Sequence, residues 1–122
     1  MTTQINYKNN ELHLKLKEQL IKKNINEFEL DIIPILLLFD IDNVFIDFSE
    51  VISIDKSGID SIIKISDLVR KNNGKVTLYN TNEKINKYLK DNNVYDYCYS
   101  EFKILIRKKM PRLWVCILMK DY

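Results

Sequence analysis

The side chains that perform most enzymatic and metal chemistry are scarce in this sequence. His13 is the only histidine, and Cys98 and Cys116 are the only cysteines. A Ser-His-Asp triad would have to use His13, which alternates with leucines and so lies on the polar face of a predicted strand. These three residues are also too few for a structural zinc site. A disulfide between the two cysteines is the alternative, but in a reducing compartment we expect the thiols to be free and buried. The sequence therefore predicts a protein that is not an enzyme and that holds no metal or cofactor.

Patterns that bind cations or phosphates are also incomplete. Asp40, Asp42 and Asp47 lie close together and carry oxygen ligands suited to a divalent ion. They flank a predicted strand without the spacing of a calcium loop, so solvated loop charges are the favoured interpretation and metal binding is the alternative. The only glycines, Gly58 and Gly74, cannot supply either of the common glycine-rich phosphate loops. No nucleotide or nucleic-acid partner is predicted.

One short segment combines a carboxylate, a hydroxyl and a glycine just before an amphipathic helix. Residues 55–58 read Asp-Lys-Ser-Gly and are called the DKSG turn below. The Asp55 side chain can form the turn by accepting backbone hydrogen bonds. Ser57 can cap a helix that begins at Gly58. The predicted helix has one apolar face, formed by Ile59, Ile62, Ile63, Ile65 and Val69.

Strands and helices alternate around this turn. The predicted order is strand, strand, helix, strand, helix, strand, helix, strand. The strands are predicted near residues 5–7, 12–16, 44–48 and 75–79 and from residue 94 onwards. This order predicts an α/β fold with a mixed β-sheet of four to five strands and helices packed on it. A chain of 122 residues suits a single domain of this kind.

The first predicted helix has two unusual features. Asn24 or Asn26 is suited to cap its start. Pro34 lies inside the helical pattern, where it removes a hydrogen-bond donor, so we expect a kink or a split there. Residues 35–39 are apolar on every side of the helix, which predicts deep burial.

The ordered set of segments resembles the STAS domain of anti-sigma factor antagonists. Residues 44–51 are similar to the family's strand ending in Asp-Leu-Ser, and residues 54–59 are similar to its Asp-Ser-Ser-Gly-Leu step into a helix. Residues 73–80 are similar to its glycine-led strand ending in Asn. Asn93 stands where the family usually has Gly, in keeping with a left-handed cap. The resemblance covers about residues 5–102 and implies a STAS-like fold.

The resemblance implies a non-enzymatic protein that takes part in partner switching. An unphosphorylated antagonist of this family binds a serine-kinase anti-sigma factor, and phosphorylation of the serine after the Asp blocks that binding. The partner-binding residues it implies here are Asp55, Lys56, Ser57, Gly58 and Ile59. Lys56 stands where the phosphorylated serine is usual, so either Ser57 is a shifted phosphoacceptor or the partner is bound without control by phosphate. A third interpretation is that Ser57 only caps the helix. This is compatible with a partner that is bound without control by phosphate.

Charge divides the chain into a body and an extension. Residues 1–102 carry 13 basic and 16 acidic side chains, whereas residues 103–122 carry 6 and 1. We expect a STAS-like domain over 1–102 and a basic extension over 103–122 that packs on the same domain. Contact of the extension with an anionic membrane surface or an acidic partner is the alternative. A STAS subunit or regulator of a lipid or anion transporter is accordingly the alternative function.

The start of the chain contains no export signal. Residues 1–10 are polar and lack the apolar core of a signal peptide, so a cytoplasmic location is expected.

Overall fold

The computed structural model describes residues 3–101, which form a single mixed β-sheet covered by helices. The sheet has five strands in the order in which they follow along the chain. The first two strands are antiparallel, and every later neighbouring pair is parallel. The strands are β1 (Thr3–Lys8), β2 (Glu11–Leu16), β3 (Asn43–Asp47), β4 (Lys75–Tyr79) and β5 (Tyr99–Glu101). The predicted α/β class and the predicted element order are confirmed.

Three helices connect the parallel strands. They are α1 (Lys22–Leu38), α2 (Lys56–Arg70) and α3 (Glu83–Asp91), and one 3₁₀ turn at Val94–Asp96 precedes β5. α1 packs against α2, and α2 packs against β4. Within residues 3–101, no helix is both long and apolar enough to cross a membrane. The predicted domain boundary at residue 102 and the predicted packing of residues 103–122 lie outside the described residues.

Burial follows the hydrophobic periods of the sequence. In β2 the leucines are buried and the alternating residues are half-buried. In α2 the predicted apolar face is buried except for the half-buried Ile63, while Asp60, Lys64 and Asp67 are exposed. The core joins these two faces to the buried residues of α1, β3 and β4, with Phe28, Ile32, Ile46, Ile59 and Ile62 completely enclosed. This apolar layer fixes the position of α2 on the sheet.

The start of α1 differs from the prediction. The helix begins at Lys22, and neither Asn24 nor Asn26 caps it. The Asn24 side chain instead donates a hydrogen bond to the backbone oxygen of Gln19 over 2.7 Å. The free backbone N–H of Lys22 donates to the Asp55 carboxylate over 2.9 Å. A residue from another element therefore supplies the cap that the local sequence was expected to provide.

The second half of α1 also corrects two expectations. α1 runs through Pro34 as one helix, so the predicted split is wrong. Pro34 and Leu30 are both exposed, so the carbonyl that loses its partner faces water. The predicted deep burial of residues 35–39 is wrong for three of the five residues. Leu37, Leu38 and Phe39 are 68%, 78% and 51% exposed.

Candidate functional site

The DKSG turn is the first turn of α2, and Asp55 ties it to the start of α1. Asp55 is the N-cap residue of α2, with extended backbone angles. One carboxylate oxygen accepts from the backbone N–H of Gly58 over 3.1 Å, and the other accepts from that of Lys22 over 2.9 Å. One side chain thus satisfies free donors at two helix N-termini, where a negative charge is also favoured. Asp55 is held as a structural bridge and not as a free carboxylate.

Lys56 is exposed on the first turn of α2, and the neighbouring Ser57 is half-buried. The Lys56 side chain is 70% exposed, and its ammonium donates to the Asp60 carboxylate one turn later over 2.9 Å. A lysine at a helix N-terminus opposes the helix dipole, and this ion pair offsets part of that cost. Ser57 is half-buried inside the helix. The expectation that Ser57 caps the helix is wrong, because Asp55 takes the N-cap position and α2 begins at Lys56.

Gly58 and Ile59 lie below the surface and support the turn from the inside. Gly58 is buried, and a Cβ atom there would lie 2.3 Å from the backbone oxygen of Leu20 and 2.8 Å from the Ile54 side chain. Only glycine permits the first turn of α2 to approach the backbone of Leu20 so closely. Ile59 is completely buried in the core. The prediction that both residues belong to the partner-binding surface is therefore corrected by their burial, since neither is accessible to a partner.

The loop before the DKSG turn is fixed by Gln19 and Leu20, two residues that the sequence analysis did not single out. The Gln19 side-chain oxygen accepts from the backbone N–H groups of Ile52 and Ser53, each over 2.7 Å. The Leu20 N–H donates to the Ser53 oxygen over 3.1 Å, and the Leu20 oxygen accepts from the Asp55 N–H over 3.3 Å. These contacts join segments more than 30 residues apart, and no local sequence pattern reports them.

Two ion pairs hold Glu50, near the start of the same loop. Lys17 and Lys15 lie 2.9 Å and 3.4 Å from one Glu50 carboxylate oxygen. The hydrogen bond from Lys17 lowers the pKa of Glu50, with the nearby charges contributing in the same direction. Backbone hydrogen bonds and surface charges together present the loop in one conformation.

A groove opens beside the turn, between the loop and α3. It has a volume of about 460 Å³. Its lining includes apolar side chains from both elements, Ile54 from the loop and Ile85 and Tyr88 from α3. Ile52, which is 68% exposed, also lines it. Polar and charged residues complete the lining: Ser53, the acidic Asp55 and Asp91, and two exposed lysines of α3, Lys84 and Lys87. The groove suits an apolar side chain of a bound protein segment and is the part of the site that sequence analysis missed.

The other predicted chemical groups are separated from this site and from one another. His13 is half-buried on β2, where its ring stacks on Phe45 at 4.8 Å and its Nε2 lies 3.3 Å from Glu11. Asp42 and Asp47 lie at opposite ends of β3. Among residues 3–101, no three His, Cys, Asp or Glu side chains gather as they would to hold a metal ion. Of the predicted chemical groups, only the DKSG turn therefore lies at the groove, through Asp55.

The predicted state of one cysteine is confirmed. Cys98 is a free, buried thiol, and burial raises its pKa to about 12. At neutral pH it is therefore protonated and a poor nucleophile. Cys116 lies outside the described residues.

The mixed five-stranded sheet with three helices matches the fold of the anti-sigma factor antagonists. The family model of the STAS domain matches residues 3–103, and the chain belongs to that family. None of the curated proteins compared with the chain matches it.

Three solved structures illustrate the shared fold. A candidate anti-sigma factor antagonist from Thermotoga maritima superposes with a TM-score of 0.75 at 20% identity, over 83% of this chain and 86% of that one. The unphosphorylated anti-sigma factor antagonist SpoIIAA, known from Bacillus, gives 0.64 at 13% identity, over 73% and 82%. The murine anion transporter Slc26a9 gives 0.60 at 18% identity, over 67% of this chain and 14% of that one. At these identities the likeness concerns the fold alone.

Proposed function

We propose that this protein is a non-enzymatic binding module of the anti-sigma factor antagonist type, and that its partner is a serine-kinase anti-sigma factor. The observation that carries the proposal is the DKSG turn, held by hydrogen bonds beside an apolar groove. Ile52 and Lys56 project from this surface, and the hydrogen bonds of Asp55 and Gln19 hold the backbone beneath them. A preorganised surface loses little conformational entropy on binding, which favours protein recognition.

Recognition would combine one apolar anchor with a charged rim. A partner side chain entering the groove would cover Ile52 and Tyr88. Lys56 would attract an acidic group on the partner, although Asp60 already shares its charge. Such a rim charge contributes more to the association rate and to specificity than to affinity. We therefore assign the affinity chiefly to Ile52 and the groove.

Lys56 gives this member of the family a different relation to phosphate. A lysine cannot accept phosphate from a serine kinase, so the usual position of control carries a permanent positive charge. Ser57 is the one hydroxyl of the DKSG turn and is half-buried. A phosphate there would add about −1.5 to −2 charges at the N-terminus of α2, beside Asp55 and Asp60. We propose that the unmodified protein binds its partner without control by phosphate. If a serine of the turn is phosphorylated, it is Ser57, one residue after the usual position.

Affinity purification from the cells of origin tests this proposal. The wild-type protein and the Ile52→Asp and Lys56→Glu variants would each serve as bait, with and without phosphatase treatment. Lys71→Glu is the matched control, because it reverses an exposed charge at the opposite end of α2. We expect an ATP-binding anti-sigma kinase with the wild type and the control, strong loss with Ile52→Asp, and no effect of phosphatase. Equal recovery with all four proteins would contradict the assignment of the surface.

A second candidate is a regulatory subunit of a membrane transporter. The observation in its favour is the superposition of this chain on part of the anion transporter Slc26a9. The basic segment at residues 103–122 would suit a position beside an anionic membrane. Recovery of a transporter ATPase or permease in the same purification would support this candidate against the first, and recovery of neither class would refute both.

A further inference from the structure

Most exposed large apolar side chains of the described residues belong to one strand and one helix, and none of these lies in the DKSG turn. Nine large apolar side chains are exposed within residues 3–101, and six of them belong to β1, α1 and the residue that follows α1. We call this surface the α1–β1 patch; its members are Ile5, Tyr7, Leu30, Leu37, Leu38 and Phe39. The rings of Tyr7 and Phe39 lie 5.6 Å apart, so the strand and the end of the helix meet at these two residues.

The helical part of the patch includes a second apolar side of α1, away from the core. Phe28, Ile32 and Leu36 form the core face of the helix at a spacing of four residues. Leu30 and Leu37 lie seven residues apart and, at 100° per residue, point to the opposite side of the helix. A surface helix of a monomeric domain normally carries polar residues there. The sequence therefore places apolar residues on a side of α1 that the rest of the described residues, 3–101, leaves exposed.

The area of the patch is large for a monomer and adequate for a dimer. A free side chain of this size exposes on the order of 200 Å², so the observed exposed fractions amount to roughly 700 Å². The largest apolar patch on a typical monomer is about 300–600 Å². Two copies of the α1–β1 patch brought together would bury up to about 1,400 Å², which lies within the range of stable interfaces.

The surroundings favour a second copy of this chain over a membrane. Asp31 and Asp40 are exposed on or just after the same half of α1, and carboxylates are repelled by anionic lipid. β1 is an edge strand that, within the described residues, pairs only with β2. An isologous contact between two identical surfaces would bring both edge strands and both apolar helix faces together around one axis. It would also protect an edge that could otherwise pair at random.

We propose that the α1–β1 patch is the interface of a two-fold symmetric homodimer. The dimer leaves the candidate binding sites free, because the DKSG turn contacts α1 at its opposite end. Along the helix axis, Lys22, which is bonded to Asp55, is separated by about 12 Å from Leu30 and by about 24 Å from Leu38. The assembly therefore presents two DKSG turns to partners, and a dimeric partner bound at both turns gains avidity over a single contact.

Sedimentation velocity of the full chain tests the dimer. At concentrations on the order of 100 µM, where a dimer with a micromolar Kd is populated, we expect a mass near twice the 14.6 kDa of one chain. Leu38→Glu and Tyr7→Glu place a charge on the helix and on the strand of the patch, and each should return the mass to that of one chain. Ile52→Glu is the matched control, since it charges an exposed apolar residue outside the patch.

Each outcome of the sedimentation experiment either supports the dimer or overturns it. Far-UV circular dichroism and thermal unfolding check that each variant folds, which the high exposure of the substituted residues favours. A wild-type protein that is monomeric at this concentration overturns the proposal. So does a dimer that survives both patch variants, or one that is lost only when residues 103–122 are deleted. Because partner capture by the DKSG turn is a separate measurement, failure of the dimer leaves the proposed function untouched.

Discussion

Replacement of Asp55 by alanine tests the way in which the DKSG turn is held. The carboxylate is the N-cap of α2, and loss of such a cap costs about 0.5–2 kcal/mol of stability. It also accepts the Lys22 N–H, a second hydrogen bond to a charged acceptor, whose loss at a partly exposed site adds about 1 kcal/mol. We therefore expect Asp55→Ala to lower the free energy of unfolding by about 2 kcal/mol in total.

Two further variants divide this effect between the two helices. Asn is as good an N-cap as Asp, so Asp55→Asn retains the bond to Gly58 but offers no second carboxylate oxygen to Lys22. It should lose about 1 kcal/mol, roughly half of the alanine effect. Asp60→Ala removes a neighbouring carboxylate whose ion pair with Lys56 is exposed, and it should cost less than about 0.5 kcal/mol.

Equilibrium unfolding in urea, followed by far-UV circular dichroism, measures all three variants against the wild type. The slopes with denaturant should agree, so that differences in midpoint report stability. If Asp55→Ala remained within about 0.5 kcal/mol of Asp60→Ala, Asp55 would not be the bridge between α1 and α2. The hydrogen bonds of its carboxylate would then not be what makes the turn rigid.

Three further outcomes follow from burial. Gly58→Ala should destabilise the fold by about 1–3 kcal/mol in urea unfolding, because the new Cβ would collide with the Leu20 oxygen. The neighbouring variant Ser57→Ala should change stability by less than about 0.5 kcal/mol. Ile59→Ala should cost about 2–5 kcal/mol while Ile52→Ala is nearly neutral, and similar losses would contradict their assigned burial. Burial keeps Cys98 protonated up to a pKa of about 12, so ionisation of the unfolded thiol should reduce stability as the pH rises above about 9. In a Cys116→Ser protein, thiol labelling at pH 8 should be slow until urea unfolds the chain, and immediate labelling would contradict this burial.

The sheet and α2 could be predicted because their periods are strong and local. The alternating leucines of β2 and the isoleucine face of α2 each bury one side, and both patterns are visible in single segments. The ends of the helices were harder to predict, because the side chains that form hydrogen bonds with their free backbone groups are distant in sequence. The cap of α1 comes from Asp55, 33 residues away, and no pattern around Asn24 or Asn26 indicates that.

The asparagines explain how a chain with two glycines forms tight turns. Five asparagines adopt positive φ angles, whereas neither glycine does. Asn93 was predicted in such a conformation from its place in the family pattern, and its φ of 60° confirms this. At the end of α2, Asn73 takes the left-handed conformation with a φ of 61°, and the Gly74 that follows it does not. Gly74 is required for space instead, since a Cβ there would lie 2.4 Å from the Asp42 oxygen.

The candidate site was predictable only in part. The DKSG turn was located from the sequence, because a polar turn between a strand and an amphipathic helix leaves a local pattern. The accessible members of the turn could not be separated from the buried ones, since Gly58 and Ile59 are enclosed by distant segments. The groove was missed for the same reason, because its apolar lining joins Ile52 to side chains of α3 more than 30 residues later.

Site-specific photo-cross-linking in the cells of origin tests the central claim most directly. A photoreactive residue would replace Ile52, which is exposed beside the groove, and in a separate protein Asn72, which is exposed at the far end of α2. We predict that position 52 captures an anti-sigma kinase and that position 72 does not. Capture of that protein equally from both positions, or from neither, would contradict the claim that the DKSG turn and its groove form the partner-binding surface.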